Sequence, residues 1–215
     1  MRDRPSGAGW LTPPNLYSAG RSVKNTEVAS LMPQRPRFLR ERAESSEYIL
    51  EPSWQGTRAL VHVGRRPEAV GYGGKRVEVA GELLDAIVAV SDCETAVLDG
   101  IFVDGFTGES ELEGGAGDDA FLRRTAPHDV YMVVDLLEVD GASLLDAPLL
   151  ERKRHLAGTV RPSQNVRITP FVRRGMRAWR ETLQGQGFRR FILKKVNSRY
   201  RPGETNDDWL QIEKV

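Results

Sequence analysis

The run Ala59-Leu60-Val61-His62-Val63 is apolar almost throughout. A strand of that kind calls for cover on both faces, which places it inside a layered body. It lies within Thr57–Val63, and Tyr48–Glu51, Glu68–Tyr72 and Thr95–Val103 read as further strands. Between them Gly81–Val90 carries Leu84, Ile87 and Val88 at helical spacing, an amphipathic helix. Asp129–Leu137 returns to strand, and Asp140-Gly141 supplies a turn. Asp146 and Pro148 signal a helix running to about Leu156. Met176, Trp179 and Leu183 recur at i, i+3, i+7, which predicts another helix, closed by Gly185 and Gly187. Phe188–Val196 and Trp209–Ile212 read as the last strands. Irregular mixing of strands and helices with hairpin-length connections predicts an α+β fold with antiparallel sheets, not a doubly wound parallel sheet. There is no internal repeat.

The flanks of this pattern are different in kind. Residues 1–30 are rich in Gly, Pro, Ser, Asn and Arg without apolar periodicity, and read as a flexible arm in which Trp10, Leu11 and Leu16 could dock. Met32 to Ala43 is basic and proline-punctuated, a surface lead-in. Gly105 to Asp119 is acidic and glycine-rich, a loop without EF-hand spacing. A length of 215 residues suits one fair-sized domain or one domain plus a tail, and the composition divides it into a 1–30 arm and a 31–215 domain. The net charge of +1 leaves nucleic-acid binding open, because a basic surface can hide in a balanced total. Cys93 is the only cysteine, so an intrachain disulfide and a cysteine metal cage are excluded. No apolar run approaches the roughly 18 residues that span a bilayer, and the N-terminus lacks an apolar signal core. The expected setting is the cytoplasm, with no membrane partner.

Glu51-Pro52-Ser53-Trp54-Gln55-Gly56-Thr57-Arg58 stands between two of the strand-like runs. Val97-Leu98-Asp99-Gly100-Ile101-Phe102-Val103 and Tyr131-Met132-Val133-Val134-Asp135-Leu136-Leu137 follow in order, the second with Asp140-Gly141 just after it. Ser143 to Lys153, Arg189 to Lys194, Ser198-Arg199-Tyr200-Arg201-Pro202-Gly203 and Trp209-Leu210-Gln211-Ile212-Glu213 complete the series. Together these blocks resemble the nucleotidyltransferase (adenylation) domain of ATP-dependent DNA ligases, bacterial end-joining type, from about Ser30 to the C-terminus. The first block resembles motif I, E-P-K-(W/Y)-D-G-x-R, whose lysine takes AMP from ATP. The next two resemble motifs III and IIIa, and Arg189–Lys194 and Trp209–Glu213 sit where motifs IV and V belong. The resemblance implies that family's two-sheet α+β body with flanking helices. The family's C-terminal oligonucleotide-binding-fold domain, needed there for attack on ATP, is not expected after the last block.

The departures fall on the chemistry. The nucleophile position is Ser53, a hydroxyl without a neighbouring base in the motif, and the aspartate two residues on is Gln55. The carboxylates that hold metal in motifs III and IV are replaced by Ile101 and Arg189. The motif V lysines are Gln211 and Glu213, the second of which opposes a polyphosphate. The aromatic that stacks on adenine is Val134, and the arginine after the third strand falls at Tyr72. Glu51, Gly56, Arg58, Asp99, Gly100, Asp135, Lys194, Tyr200 and Trp209 are retained.

This pattern implies a ligase-like protein of DNA repair or recombination that has kept the fold and lost adenylyl transfer. No catalytic residue and no metal ligand is expected. Glu51, Arg58 and Lys194 are the vestigial nucleotide-binding residues, and ATP with magnesium would matter only if the family activity survives. Arg189, Arg190, Lys195 and Arg201, clustered with Lys194 and Arg199 over the presumed cleft, are the candidate nucleic-acid surface, with nicked or broken duplex DNA and other repair proteins as partners. Arg58 and Lys194 can equally be strand residues reaching a solvated face. Asp99 and Asp135 read more readily as turn or strand-end residues than as catalytic ones. Trp54 and Trp209 read as core aromatics. Arg173, Arg174, Arg177 and Arg180 read as a solvated helix face, and Arg35, Arg37, Arg40 and Arg42 form another basic group. His62, His128 and His155 show no metal-ligand spacing, and Cys93 beside Asp92 and Glu94 is not expected to be reactive. Two alternatives stay open: an active enzyme using a displaced lysine, Lys75 or Lys194, and an interaction module that binds neither nucleotide nor DNA.

Overall fold

The computed structural model describes residues 31–39, 45–103 and 130–213. The expected arm 1–30, the acidic loop 105–119, Arg40, Arg42, His128 and Asp129 lie outside the described residues. In chain order the elements are β1 (Arg35–Leu39), β2 (Tyr48–Pro52), β3 (Gly56–Val63), β4 (Glu68–Val70), α1 (Gly81–Ala89), β5 (Ala96–Val103), β6 (Val130–Val139), β7 (Ala142–Ser143), α2 (Leu149–Thr159), β8 (Val166–Ile168), α3 (Met176–Gly185), β9 (Arg190–Lys195) and β10 (Thr205–Glu213). A short 3₁₀ turn, Tyr72–Gly74, ends the strand expected to run from Glu68 to Tyr72.

The strands form two sheets. One runs β1-β10-β9-β2; the other runs β4-β3-β5-β6-β7, with β8 added beside β6. The expected antiparallel character holds except at two margins, where β1 lies parallel to β10 and β8 parallel to β6. Neither marginal strand was legible as one. β8 is three residues long. β1 is half-exposed, contains Pro36, and shifts register between Pro36 and Arg37. An edge strand needs no amide donor on its outer side, so it tolerates a proline that reads as a loop signal.

The two sheets pack face to face, and helices cover their outer faces. Leu83, Leu84 and Ile87 of α1 and Leu156 of α2 bury against Ala59, Val61, Leu98, Phe102 and Val133. Met176 and Leu183 of α3 bury against Phe191, Leu193, Leu210 and Ile212 of the other sheet. Between the sheets sit Leu60, Val97, Leu137, Tyr200 and Trp209. β3 is thus divided by its two-residue period, with Ala59, Val61 and Val63 turned to the helices and Leu60 turned to the inter-sheet layer. His62 is half-buried opposite Glu68 of β4, and burial pushes its pKa down.

Gly100 is required by a close approach. A Cβ there would lie 2.5 Å from Cζ of Tyr131 and 2.7 Å from the carbonyl of Met132. The space it leaves lets the Tyr131 hydroxyl reach the carbonyls of Ala59 and Leu98, at 3.0 and 2.9 Å.

Candidate functional site

The inner faces of the sheets diverge at one end into a cleft of about 170 Å³. Strand alternation decides what faces it. On β9, Ile192 and Lys194 point inward while Phe191 and Leu193 point to α3. Their cross-strand partners follow them: Glu51 of β2 and Gln211 of β10 lie opposite Ile192, and Trp209 lies opposite Lys194. The second sheet contributes Arg58 of β3, Ile101 of β5 opposite it, and Val134 of β6. Ser53, Trp54 and Tyr72 complete the wall, with Pro36 of β1 at the mouth.

Nine positions singled out in the sequence, drawn from several blocks, therefore meet here: Glu51, Ser53, Gly56, Arg58, Tyr72, Ile101, Val134, Lys194 and Gln211. Glu213 and Arg189 do not line the cleft. Glu213 forms an ion pair with Arg190 across β9 and β10, and Arg189 is exposed at the start of β9. Ser53 is tied to that end of the strand, since its amide donates to the Arg190 carbonyl at 3.0 Å.

Behind the cleft the retained residues form one connected network. Arg58 makes a two-point bond to Asp99, at 2.9 and 2.6 Å, and the Tyr200 hydroxyl donates to the same carboxylate at 2.8 Å. The rings of Tyr200 and Trp209 meet edge to face at 5.6 Å. The Arg58 guanidinium and the Lys194 ammonium stand 5.2 and 3.9 Å from the Trp209 ring centre. Lys194 pairs with Glu51 at 2.7 Å, and the other Glu51 oxygen is held by Lys153 of α2. A further two-point pair joins Arg152 of α2 to Asp135 of β6, at 3.0 and 2.9 Å, with neither side chain exposed. Arg152 also donates to the carbonyls of Ala147 and Ser198.

These contacts correct two readings. Asp99 and Asp135 are not turn residues: both are wholly buried inside ion pairs. Arg58 does not reach a solvated face, because its side chain is 15 % exposed and locked to Asp99. Arg152 and Lys153 belong to the site and were missed. Their signal was an E-R-K run at a helix start, which looks like an ordinary solvated face until partners come from strands far away in sequence.

The electrostatics follow from burial. Burial alone would lower the pKa of Arg58, and the Asp99 charge outweighs it, so the guanidinium stays firmly protonated. Burial alone would raise Asp135, and Arg152 outweighs it in the same way. Lys194 goes the other way. Burial, aided by Lys153 and Arg58, exceeds the pull of Glu51 and Asp135, and its pKa is pushed down to about 8. Tyr131 and Tyr200 are pushed well up by burial and then by the Asp99 charge.

The expected basic cluster over the cleft is not assembled. Lys194 is buried within the cleft wall. Arg189 precedes β9 and Lys195 ends it, so the whole strand, five rises of about 3.3 Å each, lies between them. Arg190 is engaged by Glu213, and Arg201 is exposed in the turn before β10, its amide bonded to the buried Gln34 side chain. Lys75 is exposed at the end of the 3₁₀ turn and does not line the cleft, whereas Lys194 does. Trp209 is a core aromatic as expected; Trp54 is half-buried, bonds Thr169 at 3.2 Å and packs edge to face on Phe188. Arg173, Arg174 and Arg177 are exposed, Arg177 pairing with Glu181 along α3. The Cys93 thiol is half-buried and pushed up, by burial first and then by Asp140 and Asp92.

Comparison with solved structures decides the architecture. Mycobacterial DNA ligase D, complexed with ATP and MES, superposes with a TM-score of 0.62 at 21% identity, covering 86% of this chain and 60% of that one. The M. tuberculosis DNA ligase D ligase domain gives the same figures, and a Lig E DNA ligase gives 0.52 at 12% identity over 84% of this chain and 69% of that one. The fold is that of an ATP-dependent DNA ligase adenylation domain. In sequence, a DNA ligase of Methanothrix thermoacetophila is 37% identical over 93 residues, 42% of this chain and 16% of its own length. A probable DNA ligase of Mycobacterium sp. is 33% identical over 97 residues, 45% of this chain and 18% of its own. DNA ligase 4 of Saccharomyces cerevisiae is 32% identical over 93 residues, 40% and 10%. The matched stretches thus span less than a fifth of these curated relatives. No family model matches the chain.

Against that ligase fold the cleft can be asked what it would hold. A magnesium ion wants several hard oxygen ligands in near-octahedral array. The cleft offers one carboxylate, Glu51, and both its oxygens are taken by lysines. Ile101 stands where the resemblance expects a metal carboxylate, and among the described residues no group of three His, Cys, Asp or Glu side chains is placed to hold a metal. The residues present do not fit magnesium. No helix among the described residues is long and apolar enough to cross a membrane.

Proposed function

We propose that the chain is a ligase-like protein of DNA repair or recombination that does not form a covalent adenylate and works through binding, with nicked or broken duplex DNA as its partner. One observation carries the reading. Ser53, Ile101, Val134 and Gln211, four departures drawn from four sequence blocks, line a single cleft, while the retained Asp99, Asp135, Tyr200 and Trp209 are buried behind it as ion pairs and ring contacts. The retained Glu51, Arg58 and Lys194 line the cleft too, each held in an ion pair, so a paired framework is kept while the nucleophile, a metal carboxylate, the adenine-stacking aromatic and a phosphate lysine that the resemblance implies are replaced.

The test is intact mass after incubation with ATP and magnesium, with Ser53→Lys beside the parent. Neither protein is expected to gain an adenylyl group, because a lysine at position 53 does not restore the metal carboxylates or the phosphate lysines. An adenylyl gain in the parent would sink the proposal. A second reading, the displaced nucleophile, is favoured by Lys194, whose depressed pKa gives it a neutral amine fraction within the cleft. It requires that such a gain map to Lys194. DNA contact is tested by anisotropy on nicked duplex between about 50 and about 200 mM salt. Reversing Arg189 and Arg201 together should reduce the slope of log affinity on log salt by about two. Absence of any salt-dependent binding would leave the interaction-module alternative.

A further inference from the structure

The buried charges around the cleft do not balance. Asp99 is matched by Arg58 and Asp135 by Arg152, each pair bonded at two points. That leaves Glu51 alone against two ammonium groups, Lys153 and Lys194, both essentially buried, with side chains 4% and 2% exposed. Among the described residues, three buried cations and the 15% exposed Arg58 therefore face three buried anions. An unmatched charge in such a place is expensive, and the protein can relieve it by losing a proton or by accepting an anion.

The geometry shows where an anion would go. Lys153 sits on α2 behind Glu51 and does not line the cleft; Lys194 and Arg58 do. Lys194 Nζ has one carboxylate oxygen and one aromatic face as partners, which leaves donor capacity unused in a group 2% exposed. Both walls are otherwise largely apolar, with Ile192 beside Lys194 on β9 and Ile101 and Val134 on the sheet that carries Arg58, and Ser53 and Gln211 add neutral donors and acceptors. Polyphosphate is disfavoured by the missing metal ligands and by Gln211 where the resemblance expects a phosphate lysine.

We propose that this cleft binds a small organic monoanion, one carboxylate or one phosphodiester group on an apolar body, without a divalent metal, the anion pairing with Lys194 and Arg58. The proposal rests on the non-adenylating reading and names the ligand class of the same site.

The charge count gives a test that needs no knowledge of the natural ligand. Lys194 is faced by Glu51 of β2, Lys153 of α2, Asp135 of β6 and Arg58 of β3. With its pKa at about 8, Lys194 is largely neutral near pH 9 and largely charged near pH 7. An incoming anion favours the charged form, so binding near pH 9 takes up close to one proton, and binding near pH 7 takes up almost none. Calorimetry in two buffers of different ionisation enthalpy reads this directly. The probes are 3′,5′-cyclic AMP for the phosphodiester arm and indole-3-acetate for the carboxylate arm, both without magnesium, with adenosine as the uncharged control. At least one monoanion is expected to bind at least about tenfold more tightly than adenosine, with the proton uptake described. Lys194→Met, checked for folding by circular dichroism, should abolish both the preference and the uptake. The proposal is overturned if neither monoanion binds, if adenosine binds as well as they do, or if uptake near pH 9 is absent in the parent protein. The last measurement does not depend on the variant folding. None of the titrations uses ATP, so an adenylyl gain in the mass experiment would defeat the parent reading separately.

Discussion

Gly100 shows how far one missing carbon can shape a site. Its hydrogen faces the Tyr131 ring and the Met132 carbonyl at distances no Cβ tolerates. Tyr131 in turn has its hydroxyl against β3 and β5 carbonyls. Gly100→Ala is expected to destabilise the protein by about 1–3 kcal/mol or more, because backbone on one side and a buried ring on the other must move. Urea denaturation checks it, and a change within about 0.5 kcal/mol would show that the layer can give. At this scale the sequence was informative about positions and poor about partners. Ser53, Ile101, Val134 and Gln211 were marked by their departure from a motif frame, and all four reached the cleft. Arg152 and Lys153 were not, since nothing local tells a helix-start cation on a buried face from a solvated one.

β1 is the element that reads least like itself. Its burial alternates weakly, its first residues include a proline, and Phe38 is 53% exposed. What fixes it is one side chain upstream. Gln34 is wholly buried: its backbone N–H donates to the Tyr200 hydroxyl at 2.9 Å, and its side-chain Oε1 accepts from the Arg201 backbone N–H at 2.7 Å. Arg35 then lies over the Tyr72 ring at 4.6 Å, reaching from one sheet to the turn of the other at the cleft mouth. Gln34→Ala removes the acceptor of the part-buried Arg201 amide and leaves a gap where a wholly buried side chain stood, and is expected to cost about 1–3 kcal/mol. It should also raise hydrogen exchange in Arg35–Leu39 ahead of β9, and uniform exchange across the sheet would contradict the anchoring role. Long, periodic elements such as α1 and α3 were legible because their own residues carry the signal. β1, β7 and β8 exist through their neighbours, and short strands held by pairing leave little trace in composition.

Over the whole molecule, the unbalanced charge links stability to pH. Lys194 has a folded pKa of about 8 against an ordinary value of 10.5. Between those values the unfolded chain binds more protons, so this group makes stability rise with pH across that window; below it the full penalty of a buried cation is present. Lys194→Met is expected to be the more stable protein near pH 7, by on the order of 1–3 kcal/mol, with the gap to the parent closing by about pH 10. Thermal melts of both proteins across that range decide it, and a gap that does not depend on pH would place the effect elsewhere. Comparing the two cancels Cys93 and the tyrosines, whose raised values act in the opposite sense.

The parallel pairing of β1 with β10 also has a consequence for how the protein is made. The sheet built from β3 to β8 draws on residues 56–168, a continuous stretch. The other sheet takes its first strand from Arg35–Leu39 and its central strands from 190–213. On a ribosome, one half of the body can therefore assemble while β1 and β2 wait without their neighbours. The cleft walls meet only after Gln211 has left the exit tunnel, so the ligand site is the last part of the described chain to come into being.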